Sequence, residues 1–362
     1  MVEKAFTKDN KRIFYVEILR IIAIFFVIYN HTGDDGFKFF NTLDSGTAAY
    51  WVCMFFSIIA RVNVPLFLMI SGMLLLGKDE PLSYIWKKRI PKYVIALILI
   101  SLFVYFRNTG YDVHKFSVLE FVKKLYTGGI ATPYWYIYLY IGFLIALPFL
   151  RAMAKELTEK NMIYLLILQL LFNGILVIFQ FIASKGSGEY EYHINPAVVT
   201  ADVVFYPLAG FYIGNKVRKI KGKTVLILGG VSLAAVAVSM LMTDYKLRIL
   251  GENAGDPTKP FFDVLRALTA VFVFVLVRFI FEDRKISVPV QKVICNLGSC
   301  VFLIYLIEEI PKVDLWFIFE AMKTKIGGFA AIWVYVLIVL AVCWAVTAPV
   351  VIIWGLIKKS RK

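Results

Sequence analysis

Residues 328–357 read GFAAIWVYVLIVLAVCWAVTAPVVIIWGLI, a run without one Asp, Glu, Lys or Arg. A helix rises 1.5 Å per residue, so about 20 apolar residues cross the roughly 30 Å of bilayer hydrocarbon, and this run exceeds that length. The rest of the chain is of the same kind. Hydrophobic residues make up 60% of the 362 positions and charged residues 18%, against about 45–50% and about 25% in a soluble domain. Further apolar runs lie at 13–32, 47–76, 91–106, 134–150, 161–183, 198–214, 224–243, 260–281 and 293–311. In lipid every backbone polar group must be satisfied within the structure, and long runs without strand alternation exclude a barrel. The expected fold is therefore all-α, a polytopic integral membrane protein with about ten transmembrane helices, forming a single membrane domain over 1–362 with no soluble appended domain. The fourth and sixth runs are short and carry Pro148, Pro207 and Gly210, which makes them the weakest spans.

Orientation follows from the basic residues, because Lys and Arg near span ends are retained in the cytoplasm. With both termini cytoplasmic, Lys and Arg favour the inside segments over the outer loops by about two to one. The inside clusters are Lys87, Lys88, Arg89 and Lys92, then Lys216 to Lys223, then Lys358 to Lys362. The first run follows a charged stretch, holds Glu17 and Arg20, and has no small-residue cleavage pattern behind it, so it reads as a retained helix. Cys53, Cys295, Cys300 and Cys343 all fall in apolar runs without disulfide or zinc spacing, so no metal is expected. No nucleic-acid partner is expected, and the oligomeric state is left open.

A charge in a span costs at least about 2.5–3.5 kcal/mol, so such residues face a partner or a wet cavity. The runs contain Glu17, Arg20 and His31, then Arg61 and Asn63, then Asp202, Asp263 and Arg266, then Glu308 and Glu309. At about 100° per residue Arg20 and His31 point within about 20° of each other, and Glu17 and His31 within about 40°. These three share one stripe, spread over about 16 Å of axis between Arg20 and His31. The stripe reads as a polar channel along the first helix; it also reads as a self-neutralising Glu17–Arg20 pair with an interfacial His31. His114 and His193 fall in outer loops and read as solvated.

The sequence resembles the acyltransferase-3 family of membrane O-acyltransferases, in particular its surface-polysaccharide O-acetyltransferase branch. The likeness rests on VEILRIIAIFFVIYNH from Val16 to His31, which has Arg, ten residues, then His, and on RVNVPLFLMISGMLL from Arg61. KKRIPKY from Lys87, YWYIYLYIGFLIALPFL from Tyr134, YPLAGFYIG from Tyr206 and LGSCVFLIYLIEE from Leu297 follow in order. Two positions depart from the family pattern. Glu308 stands where members commonly have His in IYLIH, and Pro133 stands where a His often precedes the LWY-like motif. The esterase-like extracytoplasmic domain of some relatives is not found.

The resemblance implies an enzyme of the bacterial plasma membrane that moves an acyl group, most often acetyl, from cytoplasmic acyl-CoA to a sugar hydroxyl of a cell-surface glycan or its lipid-linked precursor. Acetyl-CoA is then a donor substrate, and no permanently bound cofactor is implied. His31 is the candidate general base or the site of a short-lived acyl-histidine, Arg20 the group that neutralises charge along the tunnel, and Glu17 the residue that orients Arg20. Arg61, Lys88 and Arg89 are candidates for the CoA phosphates, since guanidinium groups bind phosphate bidentately, although positive-inside anchoring is the better account of most individual lysines. Asn63, Trp135 and Glu308 are candidate linings of the cavity or acceptor site. The competing expectation is a secondary transporter of a small polar solute, to which intramembrane carboxylates and interrupted spans also belong.

Overall fold

The computed structural model describes residues 13–184, 196–250 and 265–360, and among the described residues every regular element is helical. His193, Asp263, Arg361 and Lys362 lie outside the described residues. The long helices are α1 Phe14–Asn30, α2 Ala48–Ala60, α3 Asn63–Leu75, α4 Ile90–Asn108, the loop helix α5 Val118–Thr127, α6 Trp135–Lys155, α7 Glu159–Leu170 and α8 Leu176–Ala183. They continue as α9 Asp202–Phe211, α10 Gly222–Leu250, α11 Arg266–Phe281, α12 Val288–Ile307, the short α13 Glu309–Asp314, α14 Trp316–Ile326 and α15 Gly328–Ser360.

Among the described residues, seven helical stretches are long and apolar enough to cross a bilayer: Ala48–Leu75, Leu82–Asn108, Thr132–Lys155, Glu159–Ala183, Gly222–Arg248, Val288–Ile307 and Gly328–Ile357. The first, sixth and eighth expected spans give shorter helices, α1 of 17 residues, α9 of 10 and α11 of 16. All three are wrapped by protein. α1 packs on α2, α3, α11, α12 and α15, and α9 packs on α3, α6, α7 and α11. Neighbouring side chains rather than lipid then meet their polar ends, which removes the need for a full 20-residue length.

Ala48–Leu75 is one span broken in the middle, with Arg61 and Val62 between α2 and α3. Pro65 has no N–H to offer the Arg61 carbonyl, so the ladder cannot run straight through. Helix α3 is pinned to α9 at very short range. A Cβ on Gly72 would lie 2.0 Å from the Pro207 carbonyl oxygen, and one on Gly210 would lie 2.0 Å from that of Met69. Only glycine at both positions permits this backbone approach, the usual basis of close helix pairing in membranes.

The basic cluster stands differently from expectation. Lys87, Lys88 and Arg89 occupy a π-helical turn, Ile85–Arg89, that joins directly to α4, so they sit on the first turns of a span and not in the loop before it. Pro91 at the start of α4 marks a helix beginning in the sequence, but the wider i→i+5 turn absorbs its missing donor and lets the helix continue backwards to Leu82.

Among the described residues the two larger apolar clusters are both threaded by α1, and a small third one forms around Phe181. Tyr15, Val16, Leu19 and Ala23 belong to one, while Ile24, Val27, Ile28 and Tyr29 belong to the other. Phe67 and Tyr136 pack against both clusters, so the two halves of the protein meet at these rings.

Candidate active site

Two cavities adjoin α1. The first, of about 340 Å³, is walled by Arg20, Arg89, Lys92, Tyr93, Tyr140 and Ser299 among others. The second, of about 980 Å³, is walled by His31, Arg61, Asn63, Trp135, Asp202, Arg266, Glu309 and Lys312 among others. Phe67, Tyr136 and Tyr305 line both. Their rings form a contiguous collar, with centroids 5.8 Å apart for Phe67 and Tyr136 and 5.7 Å for Tyr136 and Tyr305. Arg20 and His31 of the α1 stripe therefore face two different chambers, which share these three rings.

At the Arg20 end, Arg20 donates to the Glu17 carboxylate at 2.8 Å, and Glu17 is 3% exposed. Gly298 on α12 makes room for that carboxylate, since a Cβ there would lie 2.1 Å from Glu17 Oε2. Arg89 turns toward the same chamber and is held from behind by Glu80, through Nε at 2.8 Å and Nη2 at 2.5 Å. Arg151 joins Glu80 at 2.8 Å and also donates to the Leu75 carbonyl at 3.2 Å. The hydrogen bond from Arg89, then that from Arg151, outweighs burial and draws the Glu80 carboxyl down to about 2 from its ordinary 4.5. Lys88 is exposed and lines neither chamber, and Arg61 belongs to the opposite chamber, so the structure does not gather Arg61, Lys88 and Arg89 into one site.

At the other end His31 caps the C-terminus of α1. Its Nδ1 lies 2.6 Å from Glu308 Oε1, and Glu308 is fully buried at the end of α12. With a carboxylate at Nδ1 the ring carries its proton there, which leaves Nε2 as the basic nitrogen. Lys312 donates to the His31 carbonyl at 2.8 Å and pairs with Glu309 at 2.7 Å. His31, Glu308 and Glu309 offer ligand atoms within 4.8 Å of one another. The Lys312 ammonium already supplies a cation to that carboxylate cluster, so its donor set is better suited to handling protons than to holding a metal.

The remaining expected residues fall around this chamber. Asn63 is buried in the first turn of α3, where its side-chain oxygen accepts from the Val64 amide at 2.7 Å. Trp135 is half exposed on the chamber wall, Arg266 pairs with Asp202, and Arg107 closes the rim on Asp314. The Pro133 carbonyl accepts from the Tyr305 hydroxyl, which fixes one collar residue to the Tyr134–Tyr136 motif. His114 is exposed, as its loop position suggests. Lys312 and the collar residues Phe67 and Tyr305 were not singled out from sequence, whereas Lys92 stood in the basic cluster and Tyr136 in the motif from Tyr134. Lys312 follows Glu308 by one helical turn on a charged EEIPK segment, a pattern that could have drawn attention to it.

A helical, multi-pass membrane protein with a carboxylate-backed imidazole in one chamber and two arginines in the other has the parts of a membrane enzyme. The family model for an acyltransferase domain, acyltransferase-3, matches residues 13–354, and the chain belongs to that family. Neither a curated protein nor a solved structure matches it.

Proposed function

We propose that this acyltransferase moves an acetyl group from acyl-CoA, entering at the Arg20 chamber, to a sugar hydroxyl of a cell-surface polysaccharide or its lipid-linked precursor in the His31 chamber. The observation that carries the reading is the placement of Arg20 and His31, on one helix stripe, in two chambers that meet at the collar. In a bacterial plasma membrane with both termini cytoplasmic, the donor chamber faces the cytosol and the acceptor chamber the outside. Arg20, Arg89 and Lys92 then meet the anionic end of CoA. The uncharged pantetheine arm passes the aromatic collar and brings the thioester to His31.

There Nε2 removes the proton of the acceptor hydroxyl as its oxygen attacks the thioester carbonyl. The tetrahedral centre collapses by breaking the carbon–sulfur bond, and the imidazolium returns the proton to the departing thiolate. Glu308 holds the ring and opposes the positive charge that develops on it, the task of the third group in a nucleophile–base–acid array. Trp135 offers a face on which a sugar ring can stack.

The test is transfer of labelled acetyl from acetyl-CoA to membrane glycan, run beside a CoA-dependent thermal shift. His31→Ala is expected to lose roughly 10²–10⁴-fold in rate, the usual contribution of a positioned base, and to keep its shift with CoA. Arg20→Ala is expected to lose both. Transfer near the wild-type rate by His31→Ala would reject the reading.

A further inference from the structure

The loop between α4 and α6 contains α5, whose sequence is VLEFVKKLYT. Its limits are firmly set. The Ser117 side chain accepts from the Glu120 amide at 3.3 Å at one end, and Gly128, at φ 74°, closes the other in the left-handed conformation that only glycine adopts freely. One apolar flank is used within the protein. Phe121 is buried, with its ring 5.6 Å from Tyr105 on α4 and 6.2 Å from Phe116, and the Leu125 carbonyl accepts from Tyr138 on α6.

The adjoining flank is apolar and uncovered by any described residue: Val118 is 67% exposed, Leu119 81%, Val122 52% and Tyr126 88%. At about 100° per residue these four fall in an arc of about 100°, with Phe121 and Leu125 along one edge, Lys123 along the other, and Glu120, Lys124 and Thr127 opposite.

What covers the flank is fixed by where the helix is held. Packing on Tyr105, in the last turn of α4, keeps α5 at the end of a membrane span. The four residues between Thr127 and Thr132 reach at most about 14 Å, so α5 cannot leave that level. An exposed apolar stripe of Ile95, Ile98, Leu99, Leu102 and Phe103 climbs α4 toward Phe106, whose ring meets Phe116 at 6.4 Å beneath α5. The lipid-facing surface therefore runs up to the helix. Lys123 at the edge of the apolar arc complements anionic headgroups.

We propose that α5 lies in the plane of the membrane on the His31 side, with Val118, Leu119, Val122 and Tyr126 sunk in the headgroup–acyl boundary and Lys123 in the headgroup layer. It is an interfacial helix attached to a multi-pass protein. The segment that follows it, Ile130 to Pro133, walls the His31 chamber, so the depth of α5 sets the level of that chamber's rim in the bilayer. The assignment depends only on the placement of α5 and stands apart from the identity of donor and acceptor.

The experiment places spin labels singly at Val122→Cys and Lys123→Cys in a Cys295→Ser background. The other cysteines, Cys53, Cys300 and Cys343, are buried. The protein is reconstituted in a phosphatidylethanolamine–phosphatidylglycerol bilayer, and collision with oxygen is compared with collision with a water-soluble nickel chelate. Oxygen is expected to dominate at 122 and nickel at 123. Equal nickel access at both positions would overturn the proposal by placing α5 in water. Spin–spin broadening at 122 that vanishes on dilution with unlabelled protein would overturn it by showing that a second copy covers the face. Labels at Leu119→Cys and Glu120→Cys give the same contrast if either first variant fails to fold.

Discussion

The stripe of Glu17, Arg20 and His31 was legible because it lies within one helix, where a fixed angle per residue converts spacing into direction. The partner of His31 was not. Glu308 is 277 residues away, and no local pattern announces a contact made by the packing of α1 on α12. The sequence comparison marked Glu308 as a departure from the usual His, and its carboxylate lies at Nδ1 of the candidate base. A carboxylate there can stabilise a transient imidazolium, whereas an amide of the same shape keeps a hydrogen bond and loses the charge. Glu308→Gln is expected to lower kcat by about 10–10² fold, corresponding to the 1.5–3 kcal/mol of a hydrogen bond to a charged group, with KM for the donor unchanged. A loss confined to KM, or to protein yield with normal kcat, would show that Glu308 only packs the helix end. On the other side of α1, Gly298→Ala would push a methyl into Glu17 Oε2. The expected cost is about 1–3 kcal/mol of stability with weaker donor binding, because Arg20 moves with Glu17.

At the scale of elements, apolar runs foretold where helices lie, and Pro65, which has no N–H for the Arg61 carbonyl, accounts for the break at Arg61 and Val62. Boundaries near Pro91 and the brevity of α1, α9 and α11 were not legible. A π turn can absorb a proline, and the length a buried helix needs depends on its neighbours rather than on its own residues. Two predictions belong here. Gly72→Ala or Gly210→Ala should separate α3 from α9, because each new Cβ meets carbonyl backbone that no rotamer change relieves. Thermal unfolding in detergent is expected to fall by several degrees for either variant, and an unchanged midpoint would refute the close approach. The second concerns the junction where Glu80 clasps Arg89 and Arg151. A carboxyl drawn from 4.5 down to about 2 on folding contributes stability that is complete above pH 4.5 and is lost as pH falls from there toward 2. The unfolding midpoint should drop through that window, and Glu80→Gln should flatten the drop while lowering stability at neutral pH.

Across the whole molecule the sequence placed basic residues and the histidine on opposite sides of the membrane, and the structure adds what separates them. Membership of an acyltransferase family removes the need for the transporter reading, but the collar of Phe67, Tyr136 and Tyr305 raises a problem the enzyme shares with transporters. On the proposed reaction the donor must cross it while water and ions must not. Tyr136 and Tyr305 are tied into polar and aromatic neighbours, Tyr305 through the Pro133 carbonyl and Tyr136 through the Tyr140 ring at 6.0 Å. Phe67 is held by apolar and ring packing, with Tyr136 at 5.8 Å, and sits on α3 just past the broken middle of its span. Truncating it should let water from the larger chamber reach a bound thioester. Phe67→Ala is therefore expected to raise acetyl-CoA hydrolysis in the absence of acceptor about tenfold, a change equivalent to about 1.4 kcal/mol in barrier. Phe67→Trp should do the reverse, leaving the CoA-dependent thermal shift intact while slowing transfer to glycan, since the donor binds in the first chamber but cannot thread into the second. Wild-type transfer by Phe67→Trp together with unchanged hydrolysis by Phe67→Ala would show that the thioester reaches His31 by another route.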